Sequence, residues 1–194
     1  MEARFIDFKE NTYPEKGPYT LADLRALPEG QRAELLDGKI YYMDSPNATH
    51  QQILGALHQK IADYVTGKGG PCEVFAAPFA VFLNEDSDYL EPDIVVVCDP
   101  GKIEKGDGCH GGPDWVIEIV SPDSAKRDYM LKTAAYSNTG VKEYWIIDPH
   151  NEIINIYNFS DEVYHPTQYD FTDQVKVGIC EDLVIDFSQF DLTD

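Results

Sequence analysis

The chain has 194 residues with 43% hydrophobic and 12% aromatic content, and its 35 Asp and Glu against 15 Lys and Arg give a formal charge of −20. A chain of this length buries roughly 70% of its unfolded surface and needs no staple, and no stretch approaches the roughly 18 uninterrupted apolar residues of a membrane span. The opening MEARFIDFKE lacks the blocks of a secretion signal, so a cytoplasmic domain with no membrane partner is expected, and the acidity excludes a long basic arm for a phosphate backbone.

Residues 1–18 read as an irregular N-terminal segment and 19–194 as one domain. YTLADLRAL predicts a short helix, with Thr20 capping the amide of Asp23 and Asp23 favouring the positive helix end. Asp37-Gly38 lies between two apolar runs in RAELLDGKIYYMD and tolerates positive φ, which predicts a two-residue hairpin. Ile53, Leu57, Ile61, Tyr64 and Val65 recur every three or four residues, so Thr49 to about Thr66 reads as an amphipathic helix stopped by Gly67, Gly69, Gly70 and Pro71. Four strands follow: CEVFAAPFAVFL, PDIVVVC, PDWVIEIV and EYWIID. Pro100 to Pro113, between the second and third, reads as a Gly-rich flexible loop. Between the third and fourth, Ser121 is a helix N-cap, Pro122 the first helical residue and Gly140 the stop. EIINIYNF, a Tyr-rich stretch to Phe171, VKVGI and LVIDF then read as short antiparallel strands. From Glu143 onward 12 acids meet one base, Lys176, so any nucleic-acid contact must be local, dimer-built or metal-assisted. Cys72, Cys98, Cys109 and Cys180 show no CxxC spacing and are expected as reduced thiols. The economical architecture is a single α/β domain with a mixed central sheet.

Within DWVIEIV, Glu118 is an ionisable residue between apolar neighbours, and a lone buried carboxylate costs several kcal/mol unless a cation, hydrogen bonds or a proton compensates it. Asp93 stands at the head of the apolar strand PDIVVVC. Asp114 is four residues from Glu118 on one strand, about 13 Å away. Asp93 belongs to another strand, and neighbouring strands sit about 4.8 Å apart, so Asp93 and Glu118 are the pair whose oxygens can converge. Ala125, Tyr129, Lys132 and Tyr136 form one face of the following helix, where Lys132 interrupts a small or aromatic stripe. That face can return an ammonium towards the two acids.

Pro92-Asp93, then Glu118-Ile119-Val120, with Lys132 downstream, resembles a PD-(D/E)xK nuclease core in which the lysine has moved to the next helix, Val120 standing at its usual place. The wider run ELLDGKI, HQQI, EPDIVVV, PDWVIEIVSP and KRDYMLKTAAYSNTGVKEYWIID, from about Tyr19 to Phe187, resembles a large bacterial family of restriction-endonuclease-like proteins. The resemblance implies a restriction-endonuclease-like α/β core, a mixed central sheet flanked by helices with extra antiparallel strands at the C-terminus, and places Glu34 in the site. On that reading Asp93, Glu118 and the carbonyl of Ile119 hold one Mg²⁺ or Mn²⁺, with water and phosphate oxygens completing its shell. Lys132 assists the attacking water, and Lys126, Arg127 and His50 contact the substrate. The reaction is hydrolysis of DNA phosphodiester bonds, and a homodimer is expected because small nucleases reach both strands that way.

Each residue also has a plainer role: Asp93 as a turn residue, Lys132 as an exposed partner of Asp128, Glu34 as a solvated strand-end charge, His50 as a helix neighbour. Two other functions stay open. One is a non-catalytic interaction module with a nuclease-like fold and an acidic surface, the other a small phosphoester hydrolase, which needs no basic groove.

Overall fold

The computed structural model describes residues 18–85, 87–160 and 165–190. The expected irregular segment falls almost wholly outside them. Helix α1, Leu21–Arg25, opens with the predicted capping box between Thr20 and Asp23. Strands β1, Ala33–Leu36, and β2, Lys39–Tyr42, pair antiparallel around Asp37 (φ 51°) and Gly38 (φ 67°), the two positive angles that a two-residue hairpin turn demands. Helix α2, Ala48–Lys68, is capped by Asn47 and ends at Gly69 in the left-handed conformation, burying Ile53, Leu57 and Ile61.

The run CEVFAAPFAVFL is two strands, not one. It breaks at the cis Ala77–Pro78 bond into β3, Glu73–Ala76, and β4, Val81–Asn84, which belong to different sheets. β5, Asp88–Leu90, then turns back against β4, and β6, Ile94–Val97, enters the second sheet. The predicted loop from Pro100 contains a 3₁₀ turn, Pro100–Lys102, and a two-residue strand β7, Cys109–His110, parallel to β4. β8, Trp115–Ile119, and β9, Glu143–Asp148, run parallel through a helical crossover, and β10, Ile153–Asn158, with β11, Thr167–Asp170, extend the sheet. The chain closes with β12, Gln174–Lys176, and β13, Val184–Asp186.

The sheet orders are β2-β1-β5-β4-β7 and β11-β10-β9-β8-β6-β3, with β12-β13 as a separate ribbon. The larger sheet is mixed, as expected, and both of its faces are covered. One face packs against α2 and the C-terminal ribbon through Ile117, Trp145, Ile61 and Phe187. Its other face packs against the smaller sheet and the crossover helix through Val116, Val95, Leu36 and Tyr136.

The thiol expectation needs correction for two of the four cysteines. The antiparallel register of β3 with β6 sets Glu73 opposite Val97, so Cys72 falls opposite Cys98, and the two form a disulfide. Nothing in a 26-residue separation announces that register. Cys109 and Cys180 are free.

The crossover helix also departs from expectation. Ser121 Oγ accepts from the Ser124 amide at 3.2 Å, and the turn that it caps leads into a π-helical segment, Arg127–Lys132, before α3, Thr133–Ser137. The helix ends at Ser137 with Asn138 as its cap, and Gly140 (φ 86°) lies in the turn that follows. The wider turn keeps the face predicted from Ala125 to Tyr136, with Ala125, Tyr129 and Tyr136 all against one core. From that face the Tyr129 hydroxyl also donates to Asp148 Oδ2 at 3.4 Å, while Lys132 and Tyr136 run inward to Glu118.

Candidate active site

Alternation along β8 sends Trp115, Ile117 and Ile119 to the α2 side and Val116, Glu118 and Val120 to the other. Glu118 is therefore a carboxylate in an apolar row, 4% exposed. The crossover helix answers it. Lys132 Nζ donates to Glu118 Oε1 at 2.8 Å, and the Tyr136 hydroxyl donates to the same oxygen at 2.9 Å. Residues four apart on the helix thus converge on one oxygen.

Lys132 has further partners. Its Nζ lies 2.9 Å from Glu34 Oε1 and 3.5 Å from Asp128 Oδ1, so three carboxylates surround an ammonium that has three donors. Arg127 Nε lies 3.3 Å from the other oxygen of Glu34, with its guanidinium 5.4 Å from the centre of the Tyr41 ring. Arg127 and Lys132 are five residues apart, which an α-helix separates by about 140°. The π-turn is what brings both to one carboxylate, its bonds spanning five residues rather than four.

Asp93 comes from the neighbouring strand. β6 runs antiparallel to β8 with Ile94 opposite Ile117, and the same register carried one residue further sets Asp93 opposite Glu118. Asp93 Oδ2 accepts the Ile119 amide at 2.7 Å and lies 3.2 Å from His50 Nε2, which the first turn of α2 delivers. Asp93, Glu118, Ile119, Lys132, Arg127 and His50 line one cavity of about 460 Å³.

The charges are unevenly balanced. Burial pushes the Glu118 carboxyl well above the usual range, and Asp128, Asp93 and Glu34 add to the shift against the opposing pull of Lys132. Burial and Glu34 likewise raise Asp128. Glu34 is also raised by burial, but Lys132 and Arg127 outweigh that and hold it below its ordinary value. Burial would lower Lys132; Glu118, Glu34 and Asp128 raise it instead, so it stays charged. Burial lowers His50 too, yet Asp93 and a backbone hydrogen bond at Ile119 leave it raised.

Four acids, Glu34, Asp93, Glu118 and Asp128, thus stand against Lys132 and Arg127, two more acids than fixed cations before His50 is counted. Glu34 Oε2 and Asp128 Oδ1 are buried without a hydrogen bond. Among the described residues no three His, Cys, Asp or Glu side chains form a ready metal cage. Two carboxylates and a carbonyl, completed by water and phosphate oxygens, are nonetheless the kind of set that Mg²⁺ accepts. The residues fit a weakly held divalent cation.

Of the residues expected from the sequence, Glu34, Asp93, Glu118, Ile119 and Lys132 come together, with His50 beside them. Arg127 lines the cavity but faces Glu34, and Lys126 is exposed. Asp128 and Tyr136 were missed as members of the cluster. Each stands four residues from Lys132, and that spacing was the available signal.

Comparison with known proteins gives a family and a fold. The family model "Uma2: Putative restriction endonuclease" matches residues 21–188. The chain is 26% identical over 133 residues to "Uncharacterized protein slr1290" of Synechocystis sp., covering 68% of each protein. It also resembles the crystal structure of "a putative nuclease belonging to DUF820" from Anabaena variabilis, with a TM-score of 0.73 at 22% identity over 89% of this chain and 97% of that one.

Proposed function

Because the chain belongs to the Uma2 family of restriction-endonuclease-like proteins, we propose that it is a Mg²⁺- or Mn²⁺-dependent endonuclease that hydrolyses phosphodiester bonds of DNA. The observation that carries this reading is the meeting of Asp93 and Glu118 from adjacent strands with Lys132 from the next helix in one cavity. Asp93, Glu118 and the Ile119 carbonyl would hold the cation. When bound, it supplies charge neutralisation at the phosphate and acidifies the attacking water.

The protein's own groups do the rest. Lys132 and Tyr136 grip Oε1 of Glu118, which fixes the carboxylate and leaves its second oxygen for the cation. Glu34 anchors Lys132 through its Oε1, which also accepts the Glu91 amide at 3.2 Å. The 3.5 Å contact with Asp128 is the longest of the three at Lys132, and it is the one that the ammonium gives up to orient the attacking water. His50, within reach of Asp93, steadies that carboxylate beside the entering phosphate.

The test is cleavage of DNA with Mg²⁺ or Mn²⁺. Glu118→Gln and Asp93→Asn are each expected to lower the rate at least a hundredfold while keeping the wild-type circular dichroism. Undiminished cleavage by these variants rules the site out. Cleavage of a small phosphate ester but of no DNA would favour the phosphoester hydrolase. A homodimer belongs to the same proposal, and light scattering should give twice the 21.9 kDa of one chain.

A further inference from the structure

The cations lining the candidate active-site cavity are unequally committed. Lys132 and Arg127 are bound to buried carboxylates, with side chains only 3% and 13% exposed. Arg32 also lines the cavity, and its side chain is 39% exposed. Its Nε and Nη2 both donate to Glu91 Oε2, at 3.0 and 2.6 Å, while the Tyr89 hydroxyl donates to Glu91 Oε1 at 2.7 Å. A guanidinium carries five N–H donors in a fixed fork. Glu91 therefore holds one edge of it and sets the direction of the Nη1 edge, which makes no hydrogen bond among the described residues.

Arg32 and Glu91 also line a second cavity, of about 330 Å³, so this ion pair is a wall shared by the two. The second cavity is mixed, with Leu24, Leu27, Phe82 and the Tyr89 ring as its apolar walls and Arg25, Gln31 and Asp107 as further polar groups, Arg25 and Gln31 being exposed. Arg25 makes no ion pair among the described residues. The two carboxylates of the lining are already engaged, Glu91 by Arg32 and Asp107 by His110 at 2.8 Å, so the free edge of Arg32 and the unpaired Arg25 beside the ring-bearing walls complement an anion joined to a flat apolar body. An acyl chain offers no edge for Gln31 to hydrogen-bond, and a free phosphate leaves the apolar walls unused. A nucleotide offers all of these: a phosphate for the guanidinium, a face for the apolar walls and an edge for an amide.

We propose that this shared wall is a nucleotide-binding site: Arg32 holds a phosphate of the strand, and the second cavity takes the base attached to it. The identification of the strand as DNA rests on the nuclease reading above. A base enters such a cavity only by leaving its stack, so the site selects an unpaired nucleotide beside the bond to be cut.

The experiment is calorimetric titration of the full chain, in EDTA, with thymidine 5′-monophosphate, thymidine and inorganic phosphate. The monophosphate is expected to bind at least tenfold more tightly than either fragment. Arg32→Gln should weaken it fivefold or more, and Ala80→Leu, which adds bulk to the second cavity's lining, should reduce the monophosphate to the affinity of inorganic phosphate. Equal binding of monophosphate and phosphate by the wild type overturns the proposal, as does no binding, or monophosphate binding that neither substitution alters. Because no divalent cation is present, the readout is independent of cleavage. A chain that binds the monophosphate as described yet cuts no DNA sustains this site and removes the nuclease reading instead.

Discussion

At the residue scale, Glu118 shows what a buried carboxylate requires. Its Oε1 takes both Lys132 and Tyr136, and the two donors differ in what their loss does. Tyr136→Phe removes one neutral donor from a charged acceptor and is expected to cost about 1.5–3 kcal/mol in urea unfolding. It should also weaken Mn²⁺ binding several-fold, because Glu118 is then held at one point. Unchanged ion affinity would leave Tyr136 a purely structural role. Lys132→Met is harsher. It leaves Glu34, Glu118 and Asp128 without their central cation, and breaking a buried ion pair in this way costs about 3–5 kcal/mol. An unfolding midpoint equal to that of the wild type would contradict the buried cluster. The pairing of Asp93 with Glu118 was legible because strand alternation and strand spacing are rigid constraints. The plainer alternative for Lys132 leaves its contact with Asp128 at the surface, whereas both are buried, because a sequence does not say which helix positions lie beneath a second sheet.

At the element scale, the π-turn is the feature that no hydrophobic period announces. Apolar spacing locates the helix, and Ser121 and Gly140 bound it, yet the turn at Arg127–Lys132 depends on tertiary demand from Glu34 on β1. The same turn leaves the Asp128 carbonyl to accept from Thr133 Oγ1 and from the Tyr144 hydroxyl, each at 3.1 Å. Met130 is 62% exposed in this segment, so its deletion should shorten the turn to an α-helical one with little loss of packing. Arg127 and Lys132 would then stand four residues apart, about 40° around an α-helix, so both still reach Glu34 and cleavage should stay within about threefold of the wild type with the far-ultraviolet dichroism nearly unchanged. A loss of tenfold or more in the deletion variant would show that the wider turn does more than keep these two cations in phase. The division of CEVFAAPFAVFL was equally hidden. Each half is a plausible strand, and only the pairing of β3 with β6 and of β4 with β5 assigns them to different sheets.

At the scale of the whole molecule, the −20 charge and the nuclease-like fold make different demands. Acidity bears on association and solubility, while the local excess of acids in the cavity bears on cations. A mixed sheet flanked by helices followed from patterning, whereas its separation from a second sheet, the Cys72–Cys98 bond and the joining of two cavities at Arg32 depend on contacts between distant segments. Acid sensitivity gives a global check. Burial would raise Asp114, but Lys142 Nζ at 2.6 Å and the Cys98 amide at 2.7 Å hold it below its ordinary 3.8. A carboxyl so depressed stabilises the fold fully above its unfolded value and loses that contribution as pH falls through the folded one. The stability difference between wild type and Asp114→Asn should therefore be constant near neutrality and shrink below about pH 3.8. A difference that grows in acid would reverse the assignment.

The central claim, that acids from two neighbouring strands share one divalent cation, is most directly tested by calorimetric titration of the intact chain with Mn²⁺. One ion per chain at millimolar affinity or better, lost in both Asp93→Asn and Glu118→Gln, is the predicted result. An uptake that survives both substitutions, or none in the wild type, would contradict it.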